Sequence, residues 1–152
     1  MSEVPIVELL DWTRARALAQ PMRTAVFVLE QGVPAELEWD EWDERSVHAL
    51  ARQGGTPAGN GRLLPADEEG TVRIGRMAVL GPFRVRGVGA AILRALLARA
   101  RETGARQALL HAQASAAGFY RRHGFTERGG EFVEAGIPHV EMVLSLHGSS
   151  GD

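Results

Sequence analysis

The chain has 152 residues and a formal net charge of -2, a length that fits one domain around a single core. Its 45% hydrophobic and 24% charged residues are ordinary for a globular protein and argue against disordered and fibrous classes. The charge balance gives no general attraction to nucleic acid, and no stretch approaches the roughly 20 apolar residues of a membrane span. Met1 to Leu10 shows neither the basic flank nor the apolar run of a signal peptide. The expectation is therefore a cytoplasmic protein with neither nucleic acid nor membrane as partner. With no cysteine in the chain, disulfides, thiolate metal sites and a cysteine acyl-enzyme are excluded. All 17 basic residues counted as Lys or Arg are arginine. That removes a phosphate-loop ATPase, which needs its Gly-Lys lysine, and a pyridoxal-phosphate Schiff base.

In chain order, Ile6 to Leu10 reads as a short strand. Thr13 to Gln31 reads as a helix with Ala15, Leu18, Ala19, Met22, Val26 and Leu29 at three-to-four spacing, kinked or divided at Pro21. Glu36 to Glu44 holds six acids and two tryptophans and reads as an irregular, solvated acidic loop. Its charge could draw in a cationic amine, and Trp39 and Trp42 could cover a pocket. Ser46–Gln53, Ala58–Leu64 and Thr71–Leu80 read as an antiparallel meander. The connections are Gly54-Gly55-Thr56-Pro57 and Asp67-Glu68-Glu69-Gly70.

After Gly81-Pro82 the segment Arg84-Val85-Arg86-Gly87-Val88-Gly89 runs into a helix to about Glu102, with Val88, Ile92, Ala95, Leu96 and Ala100 on one face. Gln107–Gln113 reads as a strand and Ser115 as the cap of a helix to His123 that Gly124 stops. Phe125–Val133 and His139–Leu146 read as the last strands. Residues 1–146 make a single domain on this reading, and His147–Asp152 is a disordered tail. The order of elements is α+β, a mixed sheet covered by helices, with a right-handed parallel crossover at the glycine segment.

Glycines between a strand and a helix let main-chain amides converge on an anion. The dinucleotide fingerprint fails here, because Ile92 stands where its third small residue belongs. Arg84, Gly87 and Gly89, preceded by Met77-Ala78-Val79, instead resemble the acyl-CoA site of the GCN5-related N-acetyltransferase (GNAT) family. Ala116, Phe119, Tyr120, Gly124 and Phe125 resemble the Ala-x-x-Phe-Tyr helix and Gly-Phe turn that close that family's CoA-binding half. Val26 to Pro34 and Glu134 to Met142 resemble the family's ElaA/YjcF-like branch. The likeness spans about Leu9 to Leu144.

The resemblance implies a central mixed, mostly antiparallel sheet of six to seven strands and transfer of acetyl from acetyl-CoA to an amine, with CoA as product. It also implies site residues. Amides of Val85, Arg86, Gly87, Val88, Gly89 and Ala90 would hold the CoA diphosphate, with Arg84 and Arg86 adding charge. The main chain of Met77, Ala78 and Val79 would pair with pantetheine and supply an oxyanion donor, and Gln113 would stand where relatives often have asparagine. Tyr120 would be the general acid for the departing thiolate. Its phenol, with an ordinary pKa of about 10, carries a proton at neutral pH.

An alkyl ammonium must lose a proton before it attacks a thioester. Glu30, His111, Glu134 and His139 are the candidate bases, and water alone could serve. The five histidines lack metal-ligand spacing, so no metal is expected. The acceptor stays open among small amines, aminoglycosides, polyamines, amino acids and protein amino termini, as does a homodimer. Two rivals remain: a catalytically silent acyl-CoA-binding module, and a structural domain or nucleotide binder that borrows the glycine turn.

Overall fold

A computed structural model describes residues 4–146; the tail expectation for 147–152 lies outside them. Seven strands form one sheet in the order β1-β2-β3-β4-β5-β7-β6. The first four run antiparallel to one another: β1 (Ile6–Leu10), β2 (Val47–Gln53), β3 (Thr56–Leu63) and β4 (Thr71–Val79). The turn between β2 and β3 is only Gly54–Gly55, both at positive φ, so Thr56 and Pro57 belong to the strand and not to the turn expected from sequence. On the other side β5 (Gln107–Gln113) pairs antiparallel with β7 (Ile137–Ser145), and β7 with β6 (Thr126–Glu134). The two halves meet at β4 and β5, the one parallel pair.

Helix α1 (Trp12–Arg23) starts at an Asp11 side-chain cap, one residue before the expected start. Pro21 does not stop it. The chain instead changes hydrogen-bond register and continues as a π-helical segment, Thr24–Glu30, closed by Gln31 N–H to Val26 C=O at 3.1 Å. The region read as an irregular acidic loop contains a short helix α2 (Ala35–Glu38) and a 3₁₀ turn (Glu41–Arg45). Ser115 caps nothing. It lies inside a 3₁₀ turn (Ala114–Ala116), and helix α4 (Ala117–Arg122) begins without a side-chain cap.

The core lies under α3 (Val88–Glu102), whose Val88, Ile92, Leu93, Leu96, Leu97 and Ala100 are buried against the sheet. Close approach depends on two glycines of β3. A Cβ on Gly59 would stand 2.7 Å from the Ala78 carbonyl oxygen and 3.1 Å from Ile92 Cδ1; one on Gly61 would stand 3.0 Å from Ile92 Cγ2. Gly59→Ala should therefore cost about 1–3 kcal/mol, the usual penalty of overpacking against atoms that cannot swing away. Gly130→Ala, where a Cβ meets nothing within 4 Å, should stay within about 0.5 kcal/mol. Urea unfolding of both variants measures the difference.

Candidate active site

Parallel pairing of β4 and β5 covers only Thr71–Arg73 against Gln107–Leu109. Beyond it β4 stays with β3 and β5 stays with β7, so the sheet splays and the far half of β4 has a free edge. A register shift between Asn60 and Arg62 marks a bulge opposite Arg76, which holds φ at 52°. Leu80 N–H donates to the Ala58 carbonyl at 2.9 Å. By the alternation of a strand, the amide of Val79 then faces the opposite way, into the splay. Its carbonyl accepts from Arg84 Nε at 2.9 Å.

The splay opens into a cleft of about 550 Å³. Phe27, Gln31 and Val33 form the roof, while Arg73 to Met77 and Leu110 to Gln113 line the inner walls. Tyr120 lies at one side, and Glu134, Ile137 and His139 come from the β6–β7 hairpin. Gln113 Nε2 donates to Gln31 Oε1 at 2.8 Å, linking β5 to the roof. Trp42 reaches the cleft, whereas Trp39 lies over the Arg23 guanidinium at 5.0 Å.

Of the candidate bases, His111, Glu134 and His139 share this cleft. Glu30 is elsewhere, its carboxylate 2.6 Å from Arg84 Nη2. His111 is the most connected: Nδ1 lies 2.9 Å from Glu134 Oε1, and Nε2 lies 3.3 Å from both Glu141 Oε1 and Arg73 Nη2. Glu141 and Arg73 escaped sequence reading, since only pairing across β4, β5 and β7 brings them to His111; Arg76 escaped it too, because its partners Glu38 and Asp40 come from α2 and the turn that follows. The Arg128 hydrogen bond, joined by that of His111, holds the Glu141 carboxyl below the usual carboxylate range. His139 is buried, with Nδ1 2.7 Å from the Ile137 carbonyl and its ring stacked on Phe132.

Tyr120 is buried, its ring set edge-on to Phe119 and Phe125. Its hydroxyl has no hydrogen-bond partner among the described residues, and burial pushes its pKa up to about 12, so it carries a proton at neutral pH. The glycine turn lies outside the enclosed cleft, beside its Tyr120 end. Gly87 (φ 84°) and Val85 (φ 55°) are both left-handed, a conformation costly for a β-branched residue. The first i→i−4 bond of α3 is Ala91 N–H to Gly87 C=O, leaving the amides of Val88, Gly89 and Ala90 without intrahelical acceptors. A Cβ at Gly87 would meet nothing within 4 Å, and one at Gly89 would stand 3.5 Å from Phe119 Cζ. Open space over free amides, next to an unpaired strand edge, suits a diphosphate followed by an amide-bearing chain. Among the described residues no group of three or more His, Cys, Asp or Glu is placed to hold a metal ion.

Half of the acidic segment is not freely solvated: Glu36, Glu41 and Glu44 are exposed, but Glu38, Asp40 and Asp43 are taken by arginines. Arg23, fully buried, reaches Glu38 Oε1 at 2.7 Å and Asp43 Oδ1 at 2.8 Å. Arg62 takes Asp40 at 2.6 and 2.8 Å and Asp43 at 2.8 Å, and Arg76 reaches Glu38 Oε2 at 3.0 Å.

This architecture, a mostly antiparallel sheet splayed around a cleft beside a glycine-opened helix, is that of N-acyltransferases. An acyl-CoA N-acyltransferase from Pseudomonas aeruginosa superimposes with a TM-score of 0.80 at 29% identity, over 93% of this chain and 99% of its own. Escherichia coli ElaA does so with a TM-score of 0.83 at 26% identity and the same coverage. Residues 14–146 match the acetyltransferase (GNAT) domain, and the chain belongs to the GNAT family. The uncharacterised N-acetyltransferase YjcF of Bacillus subtilis is 42% identical over 125 residues, 80% of this chain and 86% of that protein. The protein is thus an acyltransferase by family.

Two predictions come from the buried network. Removing its central cation in Arg23→Met should cost about 3–5 kcal/mol, because three carboxylates are left with two arginines and one buried negative charge goes unmatched; chemical denaturation measures it. The second concerns acid. Burial alone would raise Asp43 and Asp40, but hydrogen bonds and charge from Arg23 and Arg62 on Asp43, and from Arg62 on Asp40, outweigh it and leave both below the usual range. Depressed folded values mean stability that is fully present above the unfolded value of about 3.9 and lost as pH falls through the folded ones. Burial raises Glu38 despite Arg23 and Arg76, so it regains some stability as pH falls towards its ordinary value. Melting midpoints should therefore fall steeply only below about pH 4.

Proposed function

We propose that this protein transfers acetyl from acetyl-CoA to an amine, directly, in a complex holding both substrates. What carries the reading is the adjacency of three features: the free amides opening α3, the unpaired edge of β4, and the unpartnered hydroxyl of Tyr120 at the cleft. The bound thioester supplies an activated carbonyl carbon and a thiolate leaving group.

In this reading the amides from Val85 to Ala90 bind the diphosphate, with the guanidinium of Arg86 adding charge. Arg84, tied to Glu30 and to the Val79 carbonyl, braces the turn. The edge from Met77 through Ala78 to Val79 pairs with the pantetheine amides, and Gln113 lies across the splay on β5. As negative charge builds on the carbonyl oxygen, the Val79 N–H donates to it; one such donor is typically worth about 3 kcal/mol. His111 holds its resting proton on Nδ1, donating to Glu134 at 2.9 Å, and takes the proton of the attacking amine on Nε2, where Glu141 at 3.3 Å then accepts from the new N–H. Tyr120 gives its proton to the departing sulfur, which leaves as a neutral thiol. The amine nitrogen gains the acyl bond as the carbon–sulfur bond breaks, and one proton has moved at each end.

Tyr120→Phe tests this. Thiol release over a panel of amines should fall by about 10²–10⁴-fold, the usual worth of a general acid. Calorimetry should show CoA binding within about threefold of wild type, since the phenol ring stays in place. Unchanged turnover removes Tyr120 as the acid. Acetyl-CoA binding without thiol release from any amine leaves a silent binding module, and binding of ATP without preference for CoA ends the acyl-transfer reading.

A further inference from the structure

The cleft contains three arginines, and two of them are matched. Arg62 is neutralised by Asp40 and Asp43. Arg76 is held by Glu38 and Asp40 and by the carbonyls of Leu37 and Glu38. Arg73 is not matched. No carboxylate lies within 4 Å of it among the described residues, and its only side-chain contacts are the two ring nitrogens of His111, at 3.3 and 3.5 Å from Nη2. The carboxylates nearest to His111 are used from the other side: Glu134 faces Nδ1, and Glu141 is shared with Arg128 Nε at 2.8 Å. One wall of the cleft therefore presents an exposed, uncompensated guanidinium directly beside the imidazole and a carboxylate.

A guanidinium in that position repels a polycation and favours a planar oxyanion, which it can bind through two parallel N–H donors. The neighbouring Glu134 and His111 suit an ammonium that must then give up a proton. Since Arg73 and His111 are in contact, an oxyanion at one and an amine at the other can be only a few bonds apart. Resting on the acyl-transfer reading above, we propose that the acceptor is a free amino acid, with its carboxylate on Arg73 and its amino group at His111. Polyamines and aminoglycosides are disfavoured, because their further cations would face Arg73. Arg73 is a specificity residue: it grips the acceptor and takes no part in the proton transfers.

The test is thiol release with saturating acetyl-CoA over a panel of free amino acids, each compared with its amide and its decarboxylated amine, plus a polyamine and an aminoglycoside. At least one amino acid should exceed both matched compounds by about tenfold or more in kcat/KM, mostly through KM, as expected for one charge-assisted pair. Arg73→Gln should bring that ratio to within about threefold, Arg73→Lys should restore part of it, and Arg99→Gln, on the exposed face of α3, should leave it as in wild type. Unaltered melting midpoints show that the variants fold. A panel led by the amides, the decarboxylated amines or the polyamine overturns the proposal while leaving acyl transfer intact, as does a ratio unmoved in Arg73→Gln. Silence across the panel with acetyl-CoA still bound by calorimetry also overturns it. Failure to bind acetyl-CoA strikes the acyl-transfer reading itself.

Discussion

Parallel pairing of β4 with β5 ends after Arg73 and Leu109, and the rest of the molecule is arranged around that parting. Each strand keeps its other neighbour to the end, β3 for β4 and β7 for β5, so neither can close the gap. The backbone groups left facing each other across it are the expensive kind to bury unpaired. They are kept open to a cleft instead. What makes the edge available also makes the cleft, and one geometric event therefore supplies the strand edge, the amide of Val79 and the space beside Tyr120.

That parting is stabilised from a distance. The bulge at Arg76 carries a left-handed backbone angle on a residue other than glycine, a conformation that persists only when surroundings over-determine it. The surroundings here are α2 and the turn after it, whose Leu37 and Glu38 carbonyls and Glu38 and Asp40 carboxylates all engage the Arg76 side chain. Those carboxylates are fixed in turn by Arg23 from α1 and Arg62 from β3. Guanidinium suits this role better than ammonium would, because its planar fork serves two acceptors at once. The buried ionic cluster, the strained bulge and the open edge of β4 thus form one connected set of contacts.

What the sequence made legible was local. Gly87 and Gly89 sit within a few residues of the helix they open, and Ala116, Phe119 and Tyr120 share one turn of chain, so their spacing survives as a pattern. The strand order of the meander was equally readable, because each hairpin joins neighbours. The acidic segment was misread at Glu38, Asp40 and Asp43, though not at the exposed Glu36, Glu41 and Glu44, for the opposite reason. Nothing in Glu36 to Glu44 announces that Arg23, Arg62 and Arg76 will converge on it from α1, β3 and β4, and a run of six acids taken alone belongs in water. Ser115 had the residue type of a cap but not the backbone, since a 3₁₀ turn takes the position first.

The same distinction explains the acceptor side of the cleft. His111 and Glu134 could be nominated singly, but their relation depends on register: His111 lies opposite Glu141, and Glu141 opposite Arg128, a row of charges across three strands. Arg73 stands opposite Leu109, the last paired position of β4 and β5, two residues before His111 on β5, and its guanidinium reaches the imidazole diagonally. Had the parting come earlier, its guanidinium would lie with the β3 half of the sheet, away from the imidazole. The position at which two strands stop pairing thus sets both the opening that an acyl donor needs and the charge that an acceptor meets.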